Sequence, residues 1–509
     1  MNRRDFLGTL GAGVMSLALP GCHGISQTAI QKPKRLPNII FIMADDLGYG
    51  DVACLNSDSK IPTPNIDGMA AAGMRFTDAH SGSAVCTPTR YGVLTGRYCW
   101  RTHLKNGVLS GYSEPLIESG RMTVASLLKR HGYRTGCIGK WHLGLGWATT
   151  DAEKPGRSNI DYTKSISRGP AALGFDCFFG IPASLDMDPY VYVENDKVVS
   201  LPTEVVEKSP WPEFYRAGPA APGFKHREVL PTLTEKAVEF IDDHWQRTPQ
   251  KPFFLYFPLT APHTPILPTA EFQGKSKAGK YGDFVAQVDW TVGRVLDTLR
   301  RHDIADNTLV IFTSDNGPEV GMEERIKEYQ HYSSYHFRGK KRDIWDGGHR
   351  IPFIACWPKA IKPGTISDRT ICLTDFMATA AQIVGEHLPD NAAEDSFSIL
   401  PAMLNEKLGS SGRAAVVHHS SRGEFAIRQG RWKLVLCKGS GGNSYTTGPN
   451  AVKPDDPPGQ LYDMQTDYQE IWNLYNDRPE IVAGLTSLLE QYKRQGRSRP
   501  LSAQRKTPI

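Results

Sequence analysis

The chain has 509 residues, of which 40% are hydrophobic, and a formal net charge of +5. This apolar content can form a large core and excludes a disordered chain, while the positive charge is too weak to indicate a nucleic-acid partner. No run of 18 or more apolar residues occurs, which argues against a membrane-spanning helix.

Residues 1–22 predict an export signal. Arg3-Arg4 precedes an apolar run rich in Gly, Ala and Leu that ends at Cys22. This order is typical of a signal peptide, and the paired arginines resemble a twin-arginine signal. Residues 19–22 resemble a lipobox, so we expect lipidation of Cys22, with cleavage and no lipid as the alternative. The predicted location is periplasmic or at the cell surface, and the polar residues 23–36 read as a tether.

The first predicted strand is the apolar run from Asn38 to Met43, which is typical of a strand buried on both faces of a parallel sheet. It leads directly into Asp45 and Asp46. Two adjacent carboxylates at such a place repel each other unless a cation lies between them. The alternative is an exposed acidic turn.

Cys86 opens a short predicted helix. Pro88 suits a first helical turn, and Arg90 falls on the same helix face four residues after Cys86. The unpaired N–H groups of a helix N-terminus favour an anion such as sulfate or phosphate, and Arg90 adds a fixed positive charge. A buried structural cysteine is the alternative for Cys86 taken alone.

Three further apolar runs predict strands of the same kind, at 134–138, 253–257 and 309–313. The polar residues that follow these runs are Lys140 and His142, His263, and Asp315 and Asn316. Ligands bind at the carboxyl edge of parallel sheets, so we expect these side chains to converge. Helical spacing at 64–74, 123–131 and 283–302 fits crossover helices. A structural role is the alternative for any one of these residues alone.

The remainder of the chain completes the predicted architecture. Residues 145–231 read as a long irregular insertion with scattered aromatic residues that covers or lines a site, or else as a surface excursion. Short strands after residue 400 predict an antiparallel sheet, closed by an amphipathic helix at 479–494. The fold class is therefore α/β: a large, mostly parallel sheet flanked by helices over residues 37–400, and a smaller α+β subdomain over 401–509.

The cysteines do not form a disulfide framework. Nine are present, and setting aside Cys22 and Cys86 leaves an odd number at irregular spacing. Export in the folded state would pass through a reducing cytoplasm, so we expect one bridge at most. No CxxC or HExxH spacing indicates a zinc site.

Cys86, Pro88 and Arg90, followed by Thr95-Gly96, resemble the signature of the type I sulfatases, which belong to the alkaline phosphatase superfamily. In that family a maturase oxidises the cysteine to Cα-formylglycine, and the hydrate of this aldehyde is the nucleophile. The resemblance extends from Asn38 to Asn473-Leu474. It implies an arylsulfatase-like sulfuric ester hydrolase that acts on a sulfated small molecule or saccharide.

The resemblance also implies roles for individual residues. The implied ligands of one Ca²⁺ are Asp45, Asp46, residue 86 as formylglycine, Asp315 and Asn316. The implied catalytic residues are Cys86, Arg90, Lys140, His142, His263, Asp315 and Lys341. The implied substrate-binding residues are Ser184, Lys140, His263 and Lys341. Lys341 is preferred over Lys340 because it stands five residues before Asp346-Gly347-Gly348, as in the family pattern.

The resemblance also implies which residues neutralise negative charge and which transfer protons. The metal, Arg90 and the two lysines would neutralise charge on the sulfuryl oxygens. A hydrate hydroxyl attacks sulfur with Asp315 as base, and His263 or Lys341 protonates the departing alcohol. The second hydroxyl, deprotonated with help from His142, expels sulfate and restores the aldehyde.

Two alternatives remain open. The first is a phosphomonoester or phosphodiester hydrolase of the same superfamily, although such relatives commonly carry a histidine where this chain has Asn316, and an asparagine favours Ca²⁺ over a transition metal. The second is an exported polyanion-binding lipoprotein that keeps the fold and is never matured.

Overall fold

A computed structural model describes residues 35–319, 321–406, 412–444 and 451–502. The predicted export signal, the lipidation site at Cys22 and most of the predicted tether lie outside the described residues. Within the described ranges, no helix combines the length and the hydropathy that crossing a membrane requires. The eight cysteines of these ranges are all unpaired.

The described part of the chain contains eighteen strands. They are β1 Asn38–Asp45, β2 Met74–Phe76, β3 Ala79–His80, β4 Arg134–Lys140, β5 Cys177–Ile181, β6 Val193–Glu194, β7 Lys197–Val198, β8 Glu204–Val206, β9 Gly218–Ala220, β10 Phe253–Pro262, β11 Thr308–Ser314, β12 Phe353–Cys356, β13 Thr365–Ser367, β14 Ile371–Cys372, β15 Val416–His419, β16 Phe425–Gln429, β17 Trp432–Val435 and β18 Gln460–Asp463.

Ten α-helices accompany them in the same ranges. They are α1 Pro64–Ala72, α2 Cys86–Thr95, α3 Val124–Arg130, α4 Val229–Arg247, α5 Gly279–Arg301, α6 Met322–Tyr329, α7 Asp346–His349, α8 Phe376–Val384, α9 Leu400–Met403 and α10 Pro479–Gln495. The three predicted crossover helices correspond to α1, α3 and α5 and are confirmed.

Among the described residues, ten strands form one sheet in the order β13-β2-β12-β11-β1-β10-β4-β5-β6-β7. Its centre, β11-β1-β10-β4-β5, is parallel throughout. On one flank β12 runs antiparallel to β11, and on the other β6 runs antiparallel to β5. The four predicted strands are therefore neighbours at the centre of the sheet, and the mostly parallel α/β prediction is confirmed.

Helices cover both faces of this sheet. Along β1, Ile39, Phe41 and Met43 pack into one core together with residues of α3 and α8. Ile40 and Ile42 pack into a second core with residues of α4 and α5. Side chains of a strand alternate between faces, so a strand covered on both sides must be apolar at every position. This explains why β1 reads as a continuous apolar run.

The insertion at 145–231 is less irregular than expected. Cys177–Ile181 forms β5, which pairs in parallel with β4 and extends the central sheet. β6 and β7 continue the sheet as a hairpin at its edge. The expectation of a wholly irregular insertion is wrong, because a strand of five residues between glycine- and serine-rich segments has too little periodicity to be recognised.

The predicted second sheet is confirmed. β15, β16, β17 and β18 are antiparallel in that order, and α10 packs on them through Leu485, Leu489 and Tyr492. The fourth strand, β18, was not anticipated as a strand. The sheet borders the helix that carries Cys86, since the backbone N–H of Ala84 donates to the carbonyl of His419 at 3.0 Å.

Candidate active site

The carboxyl ends of β1, β4, β10 and β11 bring the predicted polar residues to one edge of the sheet. β1 ends at Asp45, β4 at Lys140, and β10 runs directly into His263. Asp46 has a positive φ of 65°, which turns the chain sharply after β1. The predicted convergence at this edge is confirmed.

Cys86 is the first residue of α2, as predicted, and its side chain is buried. The Sγ atom donates to Oδ1 of Asp45 at 3.5 Å. Burial raises the pKa of the Cys86 thiol, and the neighbouring charge of Asp315 raises it further. Because the thiolate is the reactive form of cysteine, this environment disfavours the unmodified thiol as a nucleophile.

Each of three buried cations lies within 2.8 Å of one of three buried carboxylates. Arg90 Nη2 lies 2.7 Å from Asp315 Oδ2 and Lys140 Nζ lies 2.6 Å from Asp45 Oδ2. The third pair joins Lys341 Nζ to Asp46 Oδ2 at 2.8 Å. All six side chains are almost fully buried, so the cations and the carboxylates balance one another's charges and water does not.

The surrounding charges shift the pKa values of Asp45 and Asp315 in opposite directions. Burial alone would raise the pKa of Asp45, but the charges of Lys140, His263, Arg90 and Lys341 outweigh it and hold that pKa well below its usual range. Burial raises the pKa of Asp315, and the charge of Asp45 raises it further despite Arg90. Of the two, Asp315 therefore takes up a proton more readily.

Ligand atoms of Asp45, Asp46, Cys86 and His263 lie within 4.8 Å of one another. Asp315 is not in this group; its Oδ2 accepts from Arg90, and its Oδ1 accepts from the backbone N–H of Asp46 at 3.2 Å. His263 enters this group as a potential ligand that the sequence did not suggest.

Asn316 completes the oxygen-rich cluster. Its Nδ2 donates to Asp46 Oδ1 at 2.7 Å, and its buried Oδ1 has no hydrogen-bond partner among the described residues. A buried amide oxygen without a partner is costly unless a cation or a donor occupies that place. Carboxylate and amide oxygens are the ligands that Ca²⁺ prefers, so these residues fit such an ion.

The two histidines are held in defined orientations. His142 Nε2 donates to the carbonyl of Leu109 at 2.8 Å. Its Nδ1 therefore carries the lone pair, and this buried atom has no partner in the part of the chain that the structure describes. Burial and the charge of Lys140 hold the pKa of His142 well below its usual range. His263 Nδ1 donates to the carbonyl of Thr264 at 2.7 Å, and its Nε2 lies 3.6 Å from Asp46 Oδ2.

The adjacent lysines Lys340 and Lys341 point to different places. Lys341 is buried and reaches Asp46, whereas Lys340 Nζ lies 2.7 Å from Glu323, whose side chain is 61% exposed. Ser184 is also at the site, since its hydroxyl accepts from Lys140 Nζ at 3.1 Å and lies 3.4 Å from His263. Lys341 and Ser184, both predicted as substrate-binding residues, therefore lie beside the buried ion pairs of Asp45 and Asp46.

A cavity of ≈ 330 Å³ lies over Cys86. Its lining combines predicted residues with others: Cys86, His142, Ser184, His263 and Lys341, and also Asp186, Met187, Trp211, Phe214, Arg216, Glu319 and Arg342. The insertion contributes several of these, as expected for a segment that lines a site. Asp186, Arg216 and Glu319 were missed because they stand in irregular segments that carry no periodic signal.

The chain is similar in sequence to known sulfatases. The profile of the sulfatase family matches residues 37–386. An N-acetylgalactosamine-6-O-sulfatase of Bacteroides thetaiotaomicron is 34% identical, over 93% of this chain and 96% of the relative. Human arylsulfatase A is 32% identical, over 89% of this chain and 87% of that protein.

A solved structure agrees with these matches. It is a Bacteroides thetaiotaomicron protein described with the metabolism of multiple glycosaminoglycans, and it superposes with a TM-score of 0.79 at 33% identity. The alignment covers 90% of this chain and 100% of that one. The family profile, the full-length relatives and the fold agree, and the chain therefore belongs to the sulfatase family: it is a type I sulfatase of the alkaline phosphatase superfamily.

Proposed function

We propose that this sulfatase removes sulfate monoesters from sulfated sugars, using a formylglycine made from Cys86 by a maturase and one Ca²⁺. The observation that carries this proposal is the position of Cys86. It lines a cavity together with Lys341, and its Sγ lies 3.5 Å from Asp45 Oδ1. A buried, protonated thiol is a poor nucleophile, and an aldehyde hydrate at the same position is not limited in that way.

The residues that would hold the ion are Asp45, Asp46, Asp315, Asn316 and residue 86. The supporting observations are the ligand atoms of Asp45, Asp46 and Cys86, which lie within 4.8 Å of one another, and the Asn316 oxygen, to which no described residue donates. Asp315 belongs to the set through the family resemblance. When bound, the ion would polarise the sulfuryl oxygens and favour the ionised form of an attacking hydroxyl.

The three buried cations would stabilise the negative charge that develops on the sulfuryl oxygens. Arg90, Lys140 and Lys341 are each held by a carboxylate within 2.8 Å, so they need little reorganisation when a substrate binds. Fixed charges in a buried site stabilise a transition state more strongly than the same charges in water.

His142 and His263 would transfer protons in different steps: His142 would take a proton when sulfate departs, and His263 would give one to the departing alcohol. The neutral His142 has a free lone pair at Nδ1, which suits it to take a proton from the hydroxyl at position 86 when sulfate departs. His263 donates through Nδ1 to a carbonyl and lies 3.6 Å from Asp46 through Nε2, so its Nε2 side faces the cluster. His263 would protonate the departing alcohol, with Lys341 as the other candidate.

Asp315 would act as the base for the first step. A hydroxyl at residue 86 attacks sulfur and gives its proton to Asp315, while the bond between sulfur and the alcohol oxygen breaks. Because Arg90 holds the same carboxylate, it fixes the direction in which the base faces.

Sugar sulfates are the proposed substrate class on two grounds. The full-length relative at 34% identity is named for N-acetylgalactosamine 6-sulfate. The cavity of ≈ 330 Å³ has aromatic and polar lining of the kind that binds sugar rings. We further propose that the protein is exported and anchored through Cys22, because residues 1–22 have the order of a lipoprotein signal.

The test is a side-by-side assay of the wild type, expressed with a formylglycine-generating maturase, on an aryl sulfate, an aryl phosphate and N-acetylgalactosamine 6-sulfate. Cys86→Ala, prepared in the same way, is the control for contaminating activity. We expect both sulfate esters to be cleaved in preference to the phosphate. A preference for phosphate would support a phosphoester hydrolase, and no turnover by a matured enzyme would support a binding protein.

A further inference from the structure

Asp51 lies in the same turn as the proposed metal ligand Asp46, and three donors hold its carboxylate. Its Oδ2 accepts from the backbone N–H of Gly48 at 2.8 Å and from the hydroxyl of Tyr281 at 2.6 Å. Its Oδ1 accepts from Nε2 of His331 at 2.8 Å. The side chains of Asp51 and His331 are fully buried, so these donors replace the water that an exposed carboxylate would bind.

His331 is a donor of fixed direction. Its Nδ1 lies 3.2 Å from the backbone nitrogen of Lys60, whose N–H points to it. Because an amide N–H can only donate, Nδ1 must carry the lone pair of the ring, and the proton is on Nε2, toward Asp51. The imidazole therefore connects the segment around Lys60 to the Asp51 carboxylate.

Tyr281, on α5, connects the same carboxylate to Asp46. Its hydroxyl lies 2.6 Å from Asp51 Oδ2 and 3.2 Å from the backbone carbonyl oxygen of Asp46. The guanidinium of Arg325 lies over the Tyr281 ring, 3.7 Å from the ring centroid, and its Nε donates to the hydroxyl of Ser333 at 3.1 Å. The ring of Tyr281 is thus held from the face opposite to a mobile arrangement, and its hydroxyl has a defined position beside Asp46.

The backbone of Asp46 needs such support because its φ of 65° is one that few residues other than glycine adopt. The turn after it packs tightly on a neighbouring segment: a Cβ atom on Gly48 would lie 2.0 Å from the carbonyl oxygen of Ser333, and the N–H of Gly50 donates to that carbonyl at 2.8 Å. A strained conformation persists only where the surrounding contacts determine it. The hydrogen bonds of Asp51 are among these contacts.

We propose that Asp51, Tyr281 and His331 are positioning residues for the metal: they hold Asp46 in its left-handed conformation and so set the Ca²⁺ affinity of the site. None of the three belongs to the proposed ligand set, so each acts through Asp46. Altering a residue that orients a metal ligand typically weakens metal binding by about 10- to 100-fold. The inference rests on the proposed function and deepens it, because it names the residues that tune the ion site.

The experiment measures Ca²⁺ binding by isothermal titration calorimetry to the matured enzyme after a chelator has removed its metal. Tyr281→Phe removes only the hydroxyl, and Asp51→Asn turns an NH₂ group toward a donor. Tyr133→Phe is the matched control, because Tyr133 is also buried and its hydroxyl donates to a backbone carbonyl, that of Pro37, at 2.8 Å. Urea denaturation of the metal-free proteins compares their stabilities.

We expect Tyr281→Phe to raise the Kd for Ca²⁺ about 10-fold and Asp51→Asn to raise it about 100-fold. Tyr133→Phe should keep the wild-type Kd, although the two tyrosine variants should lose similar stability without metal. The Ca²⁺ concentration that gives half-maximal turnover of an aryl sulfate should rise with the Kd. At saturating Ca²⁺ the turnover of Tyr281→Phe should return to the wild-type value.

A pair of His331 variants tests the third residue. His331→Gln keeps a donor for Asp51 and an acceptor for the N–H of Lys60, whereas His331→Ala keeps neither. His331→Gln should therefore bind Ca²⁺ more tightly than His331→Ala. Equal affinities of these two variants would remove His331 from the positioning residues.

Two results would overturn the inference as a whole. The first is a wild-type Kd for both Tyr281→Phe and Asp51→Asn, or a wild type that binds no Ca²⁺. The second is an equal loss of affinity in Tyr281→Phe and Tyr133→Phe, which would reflect lost stability and not positioning. Failure of the proposed function gives a different pattern: the wild type would bind Ca²⁺ and cleave no sulfate ester, and the ranking of the Kd values would still decide the positioning roles.

Discussion

Arg90 donates two hydrogen bonds to Oδ2 of Asp315, at 3.1 Å from Nε and 2.7 Å from Nη2. A third bond runs from Nη1 to the carbonyl of Lys140 at 2.9 Å. One side chain therefore ties the helix that begins at Cys86 to the ends of β11 and β4. These bonds hold the start of α2, and with it residue 86, beside Asp315, the proposed base.

Replacing Arg90 by lysine should lower kcat/KM on an aryl sulfate by about 10- to 100-fold. Lysine keeps the charge but cannot form the forked pair with Asp315 and reach the Lys140 carbonyl at the same time. Steady-state kinetics on protein with an unchanged circular dichroism spectrum measures this. Arg300→Lys, on the exposed face of α5, is the control and should match the wild type. Full activity of Arg90→Lys would show that charge alone suffices.

The neighbouring lysines offer a matched pair of variants. Lys341→Ala should reduce kcat/KM by about 100-fold or more, since it removes a buried charge proposed to face the sulfate and takes from Asp46 Oδ2 its lysine partner at 2.8 Å. Lys340→Ala should change it less than about twofold, because Lys340 only forms an exposed ion pair with Glu323. Kinetics of the two variants under identical conditions makes the comparison. The reverse ranking would mean that the wrong lysine has been assigned.

Removal of the metal should abolish activity and leave the fold intact. The three carboxylates each keep a buried cation partner within 2.8 Å, so the protein without its ion does not retain three unpaired negative charges. The test is dialysis against a calcium chelator, followed by metal analysis, far-UV circular dichroism and activity before and after Ca²⁺ is restored. Unchanged turnover by protein shown to contain no metal would contradict the proposed role of the ion.

A second buried charge cluster should matter for stability. Lys433 Nζ lies 2.7 Å from both Asp346 and Glu470, and all three side chains are buried. Lys433→Met should lower the free energy of unfolding by about 3–5 kcal/mol, because it removes the cation that Asp346 and Glu470 share and leaves Asp346 with Arg350 at 3.3 Å. Urea denaturation measures this change.

The control for that variant is Lys493→Met, which removes an exposed pair with Glu490 at 2.8 Å. Its cost should be about 0.5 kcal/mol or less. Equal stabilities of the two variants would show that the Lys433 cluster contributes no more than a surface ion pair.

The central strands and their polar ends could be predicted from the sequence. Asn38–Met43 is apolar at every position because helices cover both faces of the sheet, and parallel strands deliver Asp45 and Lys140 to the same edge. The strands and their ends depend on local pattern and on general rules for parallel sheets. The choice of Lys341 over its neighbour followed from the resemblance to the sulfatase pattern, in which the lysine stands five residues before Asp346-Gly347-Gly348.

The walls of the cavity could not be predicted in the same way. Asp186 and Arg216 are thirty residues apart, and only the tertiary fold brings them together. The strand Cys177–Ile181 was missed because its neighbours in the sheet, and not its own sequence, stabilise it. The approach of His263 to Asp46 likewise depends on how β10 ends beside β1.

The central claim is that residue 86 works as formylglycine and not as cysteine. The most direct measurement is the intact mass of the peptide that contains Cys86, taken from enzyme with measured aryl sulfate turnover. We predict that the turnover rises in proportion to the fraction of peptide that is about 18 Da lighter than the thiol form. Full turnover by enzyme in which Cys86 keeps the mass of an unmodified cysteine would contradict this account.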